Sequence, residues 1–520
     1  MTSLEKNRAQ AIRNTLDDAL RRSVARNPAK IALIFGERQW TYHQLDLRVE
    51  VLASGLLAKG LRPGDRVAAF AGNSDLYVLI FLACARAGLI HVPVNYGLGA
   101  VELAYILHQS GARALLYDPA LADVVGQIRE KTPVGIFCDV TGEEWLDLAE
   151  DLPSGRPDPL SDASGATDHD VVQLLYTSGT TAAPKGAMMT HRALLAEYTS
   201  AIVALDITAG DVMLAALPLY HSAQMHVFLM PCLLIGGTVV LLPAPVPETC
   251  VDAIARFGVT SFFAPPTVWI GFLRWEGFAR AGLSSLTKAY YGASIMPVAV
   301  LAELRDRMPG AGFYNCYGQS EIAPLATVLR PEDHDRRPAS AGRPVFHVET
   351  RVVDPAMQDL PPGSAGEIVH RSPQLMTGYW DKSGETADAF AGGWFHSGDL
   401  GYFDGDGYLF IVDRVKDIIK TGGVVVSSRE VEEALFTHPA VSEVAVVGLP
   451  DSRWIEAVTA FVVCRPGRTV GGDALIAHAR GQLAPFKLPK KVIFLDALPR
   501  NTAGKILKRD LRQRYSNPES

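Results

Sequence analysis

The sequence predicts an α/β protein, and three features of the chain lead to this fold class. Strand-like and helix-like segments alternate through about the first 400 residues, which is typical of parallel sheets covered by helices on both faces. Beyond about residue 340 the strands instead follow the pattern of antiparallel pairs, with Gly and Pro at the turns. From about Lys416 onward, roughly 100 residues combine both patterns, enough for a small separate domain.

Hydrophobic periodicity predicts the individual elements. The first predicted helices are 42–60, 76–87 and 100–110, and the first predicted strands are 66–72, 91–95 and 112–118. A stretch rich in Pro, Gly and Asp (151–170) predicts an exposed connector. After it we expect a helix at 190–205 and strands at 171–176, 259–265, 286–292 and 312–318. The antiparallel strands are predicted at 344–354, 366–372 and 407–414, and the final unit has a helix at 429–438 and strands at 441–450 and 457–464.

Length, composition and charge limit the possible functions. At 520 residues and 56.1 kDa the chain is expected to form three or four lobes, since a domain averages roughly 150 residues. An apolar fraction of 48% with 20% charged residues excludes disorder as the bulk state. The 49 basic and 56 acidic residues give a net charge of −7, so nucleic-acid binding is not expected to be the main function.

Cysteine spacing and hydrophobicity predict a cytoplasmic protein without a transmembrane segment. The six cysteines form no CxxC pair, which argues against a zinc site or a disulfide scaffold. The first ten residues carry charges of both signs and no apolar signal region. The most apolar run, 77–95, is interrupted by Arg86 and therefore predicts a buried helix followed by a strand.

The segment 176–191 predicts a phosphate-binding loop. Thr177, Ser178, Thr180 and Thr181 surround Gly179, and Lys185 and Gly186 follow, with a strand expected before the loop and a helix after it. Small side chains and flexible backbone allow amides and hydroxyls to approach phosphate oxygens, and the lysine adds positive charge. It is not a Walker loop, because the lysine spacing differs and no Ser or Thr follows the lysine. An ordinary surface turn has a similar composition.

Three further segments occur in an order that identifies a family. They are YGQSEIAP (317–324), the hinge-like region 393–423 and PRNTAGKILKRDLR (499–512). Together with 176–191 they resemble the adenylate-forming superfamily, which includes acyl- and aryl-CoA synthetases, amino-acid-adenylating domains and firefly luciferase. The resemblance implies a large domain at 1–413, built of two helix-covered sheets and a distorted β-barrel. It also implies a small mobile α+β domain at 414–520, with the hinge at about 414–416.

The resemblance also implies which residues bind the nucleotide. Glu321 and Thr181 are expected to bind Mg²⁺, since a hard oxygen donor suits a metal that bridges phosphates. Asp399 and Arg414 are expected at the ribose, and Tyr317 against adenine. The full predicted nucleotide set is Thr177, Ser178, Gly179, Thr180, Thr181, Lys185, Gly292, Ala293, Ser294, Tyr317, Gly318, Gln319, Ser320, Asp399 and Arg414.

By the same resemblance, His221 gates the acyl pocket. Amino-acid-adenylating domains carry an aspartate just after this position, whereas Ser222 follows here, so an amino-acid substrate is disfavoured. Met225, Phe228 and Trp269 are expected to supply an apolar lining, although most of these side chains could equally belong to the core.

The C-terminal residues are expected to serve the two half-reactions in turn. Lys505 resembles the lysine that bridges the reacting carboxylate and the α-phosphate, and Lys416 resembles the hinge pivot. The predicted coenzyme A contacts are Lys420, Gly422 and Gly423. Two departures stand out, because Ala182 replaces the usual loop glycine and a run of valines (424–426) follows the hinge.

These observations predict an acyl-CoA synthetase that uses ATP, Mg²⁺ and coenzyme A. The expected substrate is a medium- or long-chain fatty acid, with a small aryl or branched acid as an alternative. Other possible functions are an acyl-AMP ligase that loads a carrier protein, an amino-acid-adenylating enzyme, a luciferase-like oxygenase and a non-catalytic scaffold. A homodimer is also possible.

Overall fold

The computed structural model describes residues 3–140, 165–177, 184–294, 296–422, 424–451, 453–500 and 506–516, arranged around four sheets. Strands and helices are numbered below in chain order. The predicted α/β fold class is confirmed, with a large N-terminal part and a small C-terminal part.

The largest sheet has nine strands, and its central strands are parallel. In spatial order it reads β15-β14-β13-β12-β11-β9-β10-β1-β2. Its strands are β1 (Ile31–Phe35), β2 (Arg38–Thr41), β9 (Val212–Ala215), β10 (Thr238–Leu241), β11 (Ser261–Phe263), β12 (Lys288–Gly292), β13 (Gly312–Tyr317), β14 (Thr327–Leu329) and β15 (Arg343–Pro344). Only β2 at one edge and β14 and β15 at the other pair antiparallel. Because the central strands run the same way, β9, β11, β12 and β13 all end at one edge of the sheet.

The second sheet has six strands in the order β6-β5-β3-β4-β7-β8. They are β3 (Arg66–Phe70), β4 (Ile90–Pro93), β5 (Ala114–Tyr117), β6 (Ile136–Asp139), β7 (Val171–Thr177) and β8 (Lys185–Thr190). The predicted phosphate segment joins β7 to β8 as an antiparallel pair, in which Thr177 lies opposite Lys185. The helix predicted at 190–205 is confirmed and begins at His191, but the strand β8, which is not predicted from sequence, comes before it. Residues 185–190 form a strand first, because alternate residues such as Ala187 and Met189 are buried.

Two further sheets complete the chain. An open antiparallel meander contains β16 (Glu349–Val353), β17 (Gly366–Arg371), β18 (Phe395–Phe403) and β19 (Leu409–Arg414). It occupies the region where a distorted barrel is predicted, and a bridge between Gly342 and Leu409 joins it to the nine-stranded sheet. The C-terminal unit, defined as residues 419–516, has a sheet of β20 (Ile419–Thr421), β21 (Val424–Val426), β22 (Val441–Asp451), β23 (Ile455–Cys464) and β24 (Lys491–Phe494).

Helices cover the sheets of the large N-terminal part. They are α1 (Ser3–Ile12), α2 (Leu16–Arg26), α3 (Tyr42–Ala58), α4 (Asp75–Ala87), α5 (Ala100–Ser110), α6 (Ala122–Gly126), α7 (His191–Ala204), α8 (Met230–Ile235), α9 (Pro247–Phe257), α10 (Pro266–Arg274), α11 (Val298–Arg307) and α12 (Ser383–Ala389). The C-terminal unit adds α13 (Ser428–Phe436), α14 (Gly472–Arg480) and α15 (Lys508–Tyr515). Hydroxyl caps begin several of them, as when Thr190 accepts from the Ala193 amide at the start of α7.

The apolar helix α4 lies in the protein core. Its Arg86 guanidinium pairs with Asp17, Asp46 and Glu50, which satisfies the buried charge. Within the described ranges, none of the helices combines the length and apolar composition needed to cross a bilayer.

A single carboxylate connects the antiparallel meander to the C-terminal unit. The Ser428 amide at the start of α13 donates to Asp413 Oδ2 over 2.6 Å, and the Ser428 hydroxyl donates over 2.9 Å. Asp413 itself lies in β19, next to Arg414. The Lys508 ammonium contacts the same Ser428 hydroxyl at 2.7 Å and Glu432 at 2.7 Å. Asp413 thus caps a helix that belongs to the neighbouring unit.

Replacing Asp413 tests this connection. Asp413→Ala should remove the acceptor of the Ser428 and Arg429 amides and lower the free energy of unfolding by about 1 kcal/mol, as loss of a helix cap usually does. Hydrogen exchange at residues 428 and 429 should accelerate, while the Glu430 amide keeps its bond to the Ser427 hydroxyl. Asp473→Ala is the matched control, because Asp473 lies exposed in the first turn of α14. Equal protection of α13 in both variants would contradict the capping role.

Candidate active site

Three donors converge on the carboxylate of Asp399. The Tyr317 hydroxyl donates to Asp399 Oδ2 over 2.8 Å and Gln319 Nε2 donates over 2.9 Å, while Arg414 Nε lies 3.3 Å from Oδ1. Pairing of β18 with β19 sets Asp399 opposite Arg414, and β13 ends at Tyr317. Desolvation, and then the charge of Asp399, raise the pKa of Tyr317, so its hydroxyl remains a donor. Three predicted nucleotide residues thus contact a fourth, Asp399.

A second centre forms around Glu321, which follows β13. Glu321 Oε1 accepts from the Thr177 hydroxyl at 3.2 Å and from the Tyr379 hydroxyl at 3.0 Å. The Lys185 ammonium lies 4.8 Å from the centre of the Tyr379 ring. The segment that ends β7, the segment that begins β8 and the loop after β13 therefore meet at one point. Thr177, Lys185 and Glu321 are among the site residues predicted from sequence, whereas Tyr379 is not.

Backbone pairing with β8 holds Tyr379 in place. Ala187 and Tyr379 form an isolated bridge, the Met188 amide donates to the Gly378 carbonyl over 2.9 Å, and the Trp380 amide donates to the Gly186 carbonyl over 2.8 Å. Gly378 has φ +147°, and a Cβ there would lie 2.8 Å from the Thr386 side chain, so glycine is required. A glycine next to an aromatic residue was the only sequence signal for this site.

Buried polar groups hold the loop that carries Glu321 in place. The Gln374 side-chain amide donates to Glu197 Oε2 over 2.6 Å and to the Leu325 carbonyl over 3.0 Å. The Met376 amide donates to the Glu321 carbonyl over 2.8 Å. Burial raises the pKa of Glu197 well above its usual range. Neither Glu197 nor Gln374 is predicted from sequence, because nothing in the local pattern distinguishes them from ordinary surface residues.

A small cavity of about 60 Å³ joins predicted acyl and nucleotide residues. Its wall contains His221, Ser222, Ala223, Val227, Phe228, Phe263, Ala293, Cys316, Tyr317, Gly318, Ser320, Pro324 and Leu325. The Ser222 and Ser320 hydroxyls are 2.8 Å apart, so the two predicted sites share a border. Phe228 and Phe263 stack with their ring centres 4.3 Å apart and form an aromatic side of the cavity.

Two of the predicted acyl-pocket residues lie away from this cavity. Trp269 is 1% exposed, donates its indole N–H to the Tyr290 carbonyl over 3.1 Å and packs against Phe262. Met225 is also 1% exposed. Both belong to the main hydrophobic core and are absent from the described cavity wall. Apolar type alone could not separate a pocket residue from a core residue.

The element that presents His221 and Ser222 is followed by a π-helix, Ala223–Leu229. Its wider turn is common at functional sites. Beneath it, the Tyr198 hydroxyl lies 2.7 Å from His226 Nδ1, and His226 Nε2 lies 2.7 Å from Gln173 Oε1. Gln173 Nε2 in turn lies 3.0 Å from His91 Nδ1. This buried polar chain connects α7 and the π-helix to β7 and β4 of the six-stranded sheet.

The remaining predicted residues fall into three groups. Gly292 ends β12, and Ala293 and Ser294 follow it; a Cβ on Gly292 would lie 2.3 Å from the Cys316 carbonyl. In the hinge region, Lys416, Lys420 and Gly422 are exposed, and the Gly422 amide donates to the Trp454 carbonyl over 2.8 Å. Outside the described residues lie Ser178, Gly179, Thr180, Thr181, Gly423 and Lys505.

The Glu321 centre has a donor set suited to Mg²⁺. A carboxylate and a hydroxyl oxygen lie together, and Mg²⁺ is commonly bound by one or two carboxylates plus substrate phosphates and water. Among the described residues there is no cluster of three or more His, Cys, Asp or Glu that would enclose a metal by itself. The site therefore fits an ion that arrives with a phosphate ligand better than a permanently enclosed one.

Comparison with known proteins identifies the family. Residues 20–380 match the AMP-binding enzyme family model, and residues 430–505 match the model of the AMP-binding enzyme C-terminal domain. The chain belongs to the AMP-binding enzyme family. The predicted adenylate-forming fold and the enzyme class, an AMP-forming acid–thiol ligase, are confirmed.

Relatives that are named for different acid substrates align with nearly the whole chain. It is 39% identical to a feruloyl-CoA synthase of Amycolatopsis sp, over 94% of this chain and 96% of that protein. It is 36% identical to a fatty acid–[acyl-carrier-protein] ligase of Streptomyces coeruleorubidus, over 94% of each chain. The crystal structure of ATP-bound MatB from Rhodopseudomonas palustris superposes with a TM-score of 0.90 at 31% identity, covering 98% of this chain and 100% of that one.

The buried histidines predict acid sensitivity. Desolvation lowers the pKa of His91, His226 and His370 to about 3 and that of His191 to about 4. An unfolded histidine titrates near 6.5, so the unfolded chain binds more protons as the pH falls below that value. The stabilisation is therefore complete above about pH 6.5 and is lost progressively toward pH 4. At pH 5 each of these histidines should lower the free energy of unfolding by roughly 2 kcal/mol relative to its value at neutral pH.

Thermal melting between pH 7.5 and pH 5 checks this dependence. The melting temperature should fall more steeply with acid in the parent chain than in His91→Gln. His169→Gln is the matched control, because the His169 side chain is 69% exposed, and it should retain the parental slope. A parental slope in His91→Gln would show that His91 does not contribute.

Proposed function

We propose that this chain is an acyl-CoA synthetase for a compact aromatic acid. It would first form acyl-AMP and pyrophosphate from the acid and ATP, and then transfer the acyl group to coenzyme A with release of AMP. The observation that supports this most strongly is the shared cavity, where His221 and Ser222 border Tyr317 and Ser320. An acid held there lies beside residues proposed to hold the nucleotide.

The first half-reaction requires positive charge and donors around the α-phosphate. A carboxylate oxygen of the acid attacks that phosphorus, and the bond to the pyrophosphate oxygen breaks, so negative charge accumulates there. Lys185 is positioned to attract the phosphates, and Glu321 and Thr177 offer oxygen ligands for Mg²⁺. Bound Mg²⁺ would offset phosphate charge. Asp399 is proposed to orient the ribose through its hydroxyls, with Arg414 fixing the carboxylate.

In the second half-reaction, the thiol of coenzyme A must reach the acyl carbonyl, beside which Lys505 is proposed to act in the first half-reaction. Lys416 follows the last residue of β19 and precedes β20, between the antiparallel meander and the C-terminal unit. Rotation about this short connection would allow one unit to present different faces to a single site. Lys420 and Gly422 are then proposed to border the thiol path.

The cavity supports an aromatic acid over the long alkyl chain predicted from sequence. Its volume of about 60 Å³ is small beside the roughly 300–1,000 Å³ of ordinary ligand pockets, which favours a compact acid over a long alkyl chain. The stacked Phe228 and Phe263 offer a flat apolar face, against which an aromatic ring packs well. A relative that shares 39% of its residues is a feruloyl-CoA synthase.

A panel of acids tests the proposal. Pyrophosphate release should be measured with cinnamate-type and benzoate-type acids and with octanoate and palmitate, each with and without coenzyme A. The kcat/KM for the best aromatic acid should exceed that for palmitate by at least about tenfold. An apolar group that does not match its pocket usually lowers kcat/KM by at least this factor. A preference for palmitate would overturn the aromatic assignment. Thioester formation only with a carrier protein would instead support the alternative acceptor, for which a 36% identical relative exists.

Lys505 provides a second test. Lys505→Ala should reduce adenylate formation by at least about 100-fold, because a cation near the developing charge is removed. Thioester formation from supplied acyl-AMP and coenzyme A should be retained, since that step no longer needs this ammonium. Arg509→Ala is the matched control, because its side chain is 54% exposed on α15. Equal loss of both half-reactions in Lys505→Ala would contradict the assigned role.

A further inference from the structure

Tyr379 contacts two oppositely charged side chains, one through its hydroxyl and the other through its ring. Its hydroxyl donates to Glu321 Oε1 over 3.0 Å. Its ring face lies 4.8 Å from the Lys185 ammonium. A hydroxyl donor and a ring quadrupole act on different charges, so one side chain can orient both an anion and a cation.

This arrangement keeps the two charges close without a direct ion pair. Among the described residues, the ion pairs within 4.0 Å include none between Lys185 and Glu321. A direct pair would occupy both groups and compete with phosphate and Mg²⁺ for them. With the Tyr379 ring beside the lysine and its hydroxyl on the carboxylate, each charged group retains free positions for a ligand.

The backbone joins Tyr379 to both partners. It is bridged to Ala187, two residues after Lys185 in β8, so the ring and the lysine share one strand pair. Three residues earlier, the Met376 amide donates to the Glu321 carbonyl over 2.8 Å. Residues 376–380 thus connect the segment that carries the lysine to the loop that carries the carboxylate.

We propose that Tyr379 is a positioning residue for the magnesium–ATP complex. Its hydroxyl orients Glu321 toward the metal position, and its ring holds Lys185 toward the phosphates. The proposal rests on the proposed function, because it assumes that ATP binds beside Glu321 and Lys185. The contributions of the hydroxyl and of the ring are separable, since Tyr379→Phe removes only the hydroxyl and Tyr379→Leu removes both the hydroxyl and the ring.

Binding measured without the acid separates this proposal from the overall reaction. Isothermal titration calorimetry should compare ATP with excess Mg²⁺, ATP with EDTA, and AMP alone. Tyr379→Phe should weaken binding of magnesium–ATP roughly tenfold, as expected for a lost hydrogen bond to a charged group, with little change for AMP or metal-free ATP. Tyr379→Leu should also weaken metal-free ATP several-fold, because the lysine loses its ring contact.

Kinetics supply a second readout. In pyrophosphate release, Tyr379→Phe should raise the Mg²⁺ concentration needed for half-maximal rate while the KM for the acid stays unchanged. Tyr402→Phe is the matched control, because Tyr402 stacks on Phe410 in the antiparallel meander, away from Glu321. It should behave as the parent in both assays.

Three outcomes would overturn the proposal. One is a Tyr379→Phe variant with parental magnesium dependence. Another is loss of AMP and magnesium–ATP binding to the same extent together with a lower melting temperature, which would indicate a purely structural role. The third is tight ATP binding that is insensitive to Mg²⁺ in the parent. Failure of the parent to release pyrophosphate with any acid, while the calorimetric pattern holds, would instead reject the proposed function alone.

Discussion

The site depends on the parallel direction of the central strands in the nine-stranded sheet. Because β9, β11, β12 and β13 run the same way, the segments that follow them emerge at one edge. His221, Phe263, Ala293 and Ser320 therefore border one cavity although about 100 residues separate the first from the last. The six-stranded sheet contributes the end of β7 at this place, through the Thr177–Glu321 contact.

The carboxylates in this region are held by partners that restrict their geometry. Asp399 is 4% exposed, and two neutral donors and one guanidinium share its two oxygens. Glu321 Oε1 accepts from two hydroxyls, those of Thr177 and Tyr379. Behind these groups, burial favours the neutral forms of Glu197 and His226. The functional charges thus lie in front of a neutral polar layer.

Much of the fold could be predicted from sequence, and so could several of the residues that the structure brings together in the candidate site. Helices 42–60, 76–87 and 100–110 and strands 171–176, 286–292 and 312–318 agree with the structure to within a few residues, because their periodicity is local. Tyr317, Gln319, Asp399 and Arg414 are in contact as a nucleotide site requires. The helix predicted at 190–205 is present, but the strand β8 before it was not predicted, because it forms by pairing with β7 and not from a local pattern.

The sequence by itself determined which chemistry is available: the order of four motifs, the hydroxyl-rich loop with its lysine, and the lack of a charge at Ser222 for an amino group. Only the tertiary structure decided which side chains meet. Of the two buried core residues Trp269 and Phe228, it placed only Phe228 at the cavity, and it brought Tyr379 between Glu321 and Lys185. The reason is physical, because burial and contact depend on strand order and long-range pairing, and residue type and spacing along one segment do not contain that information.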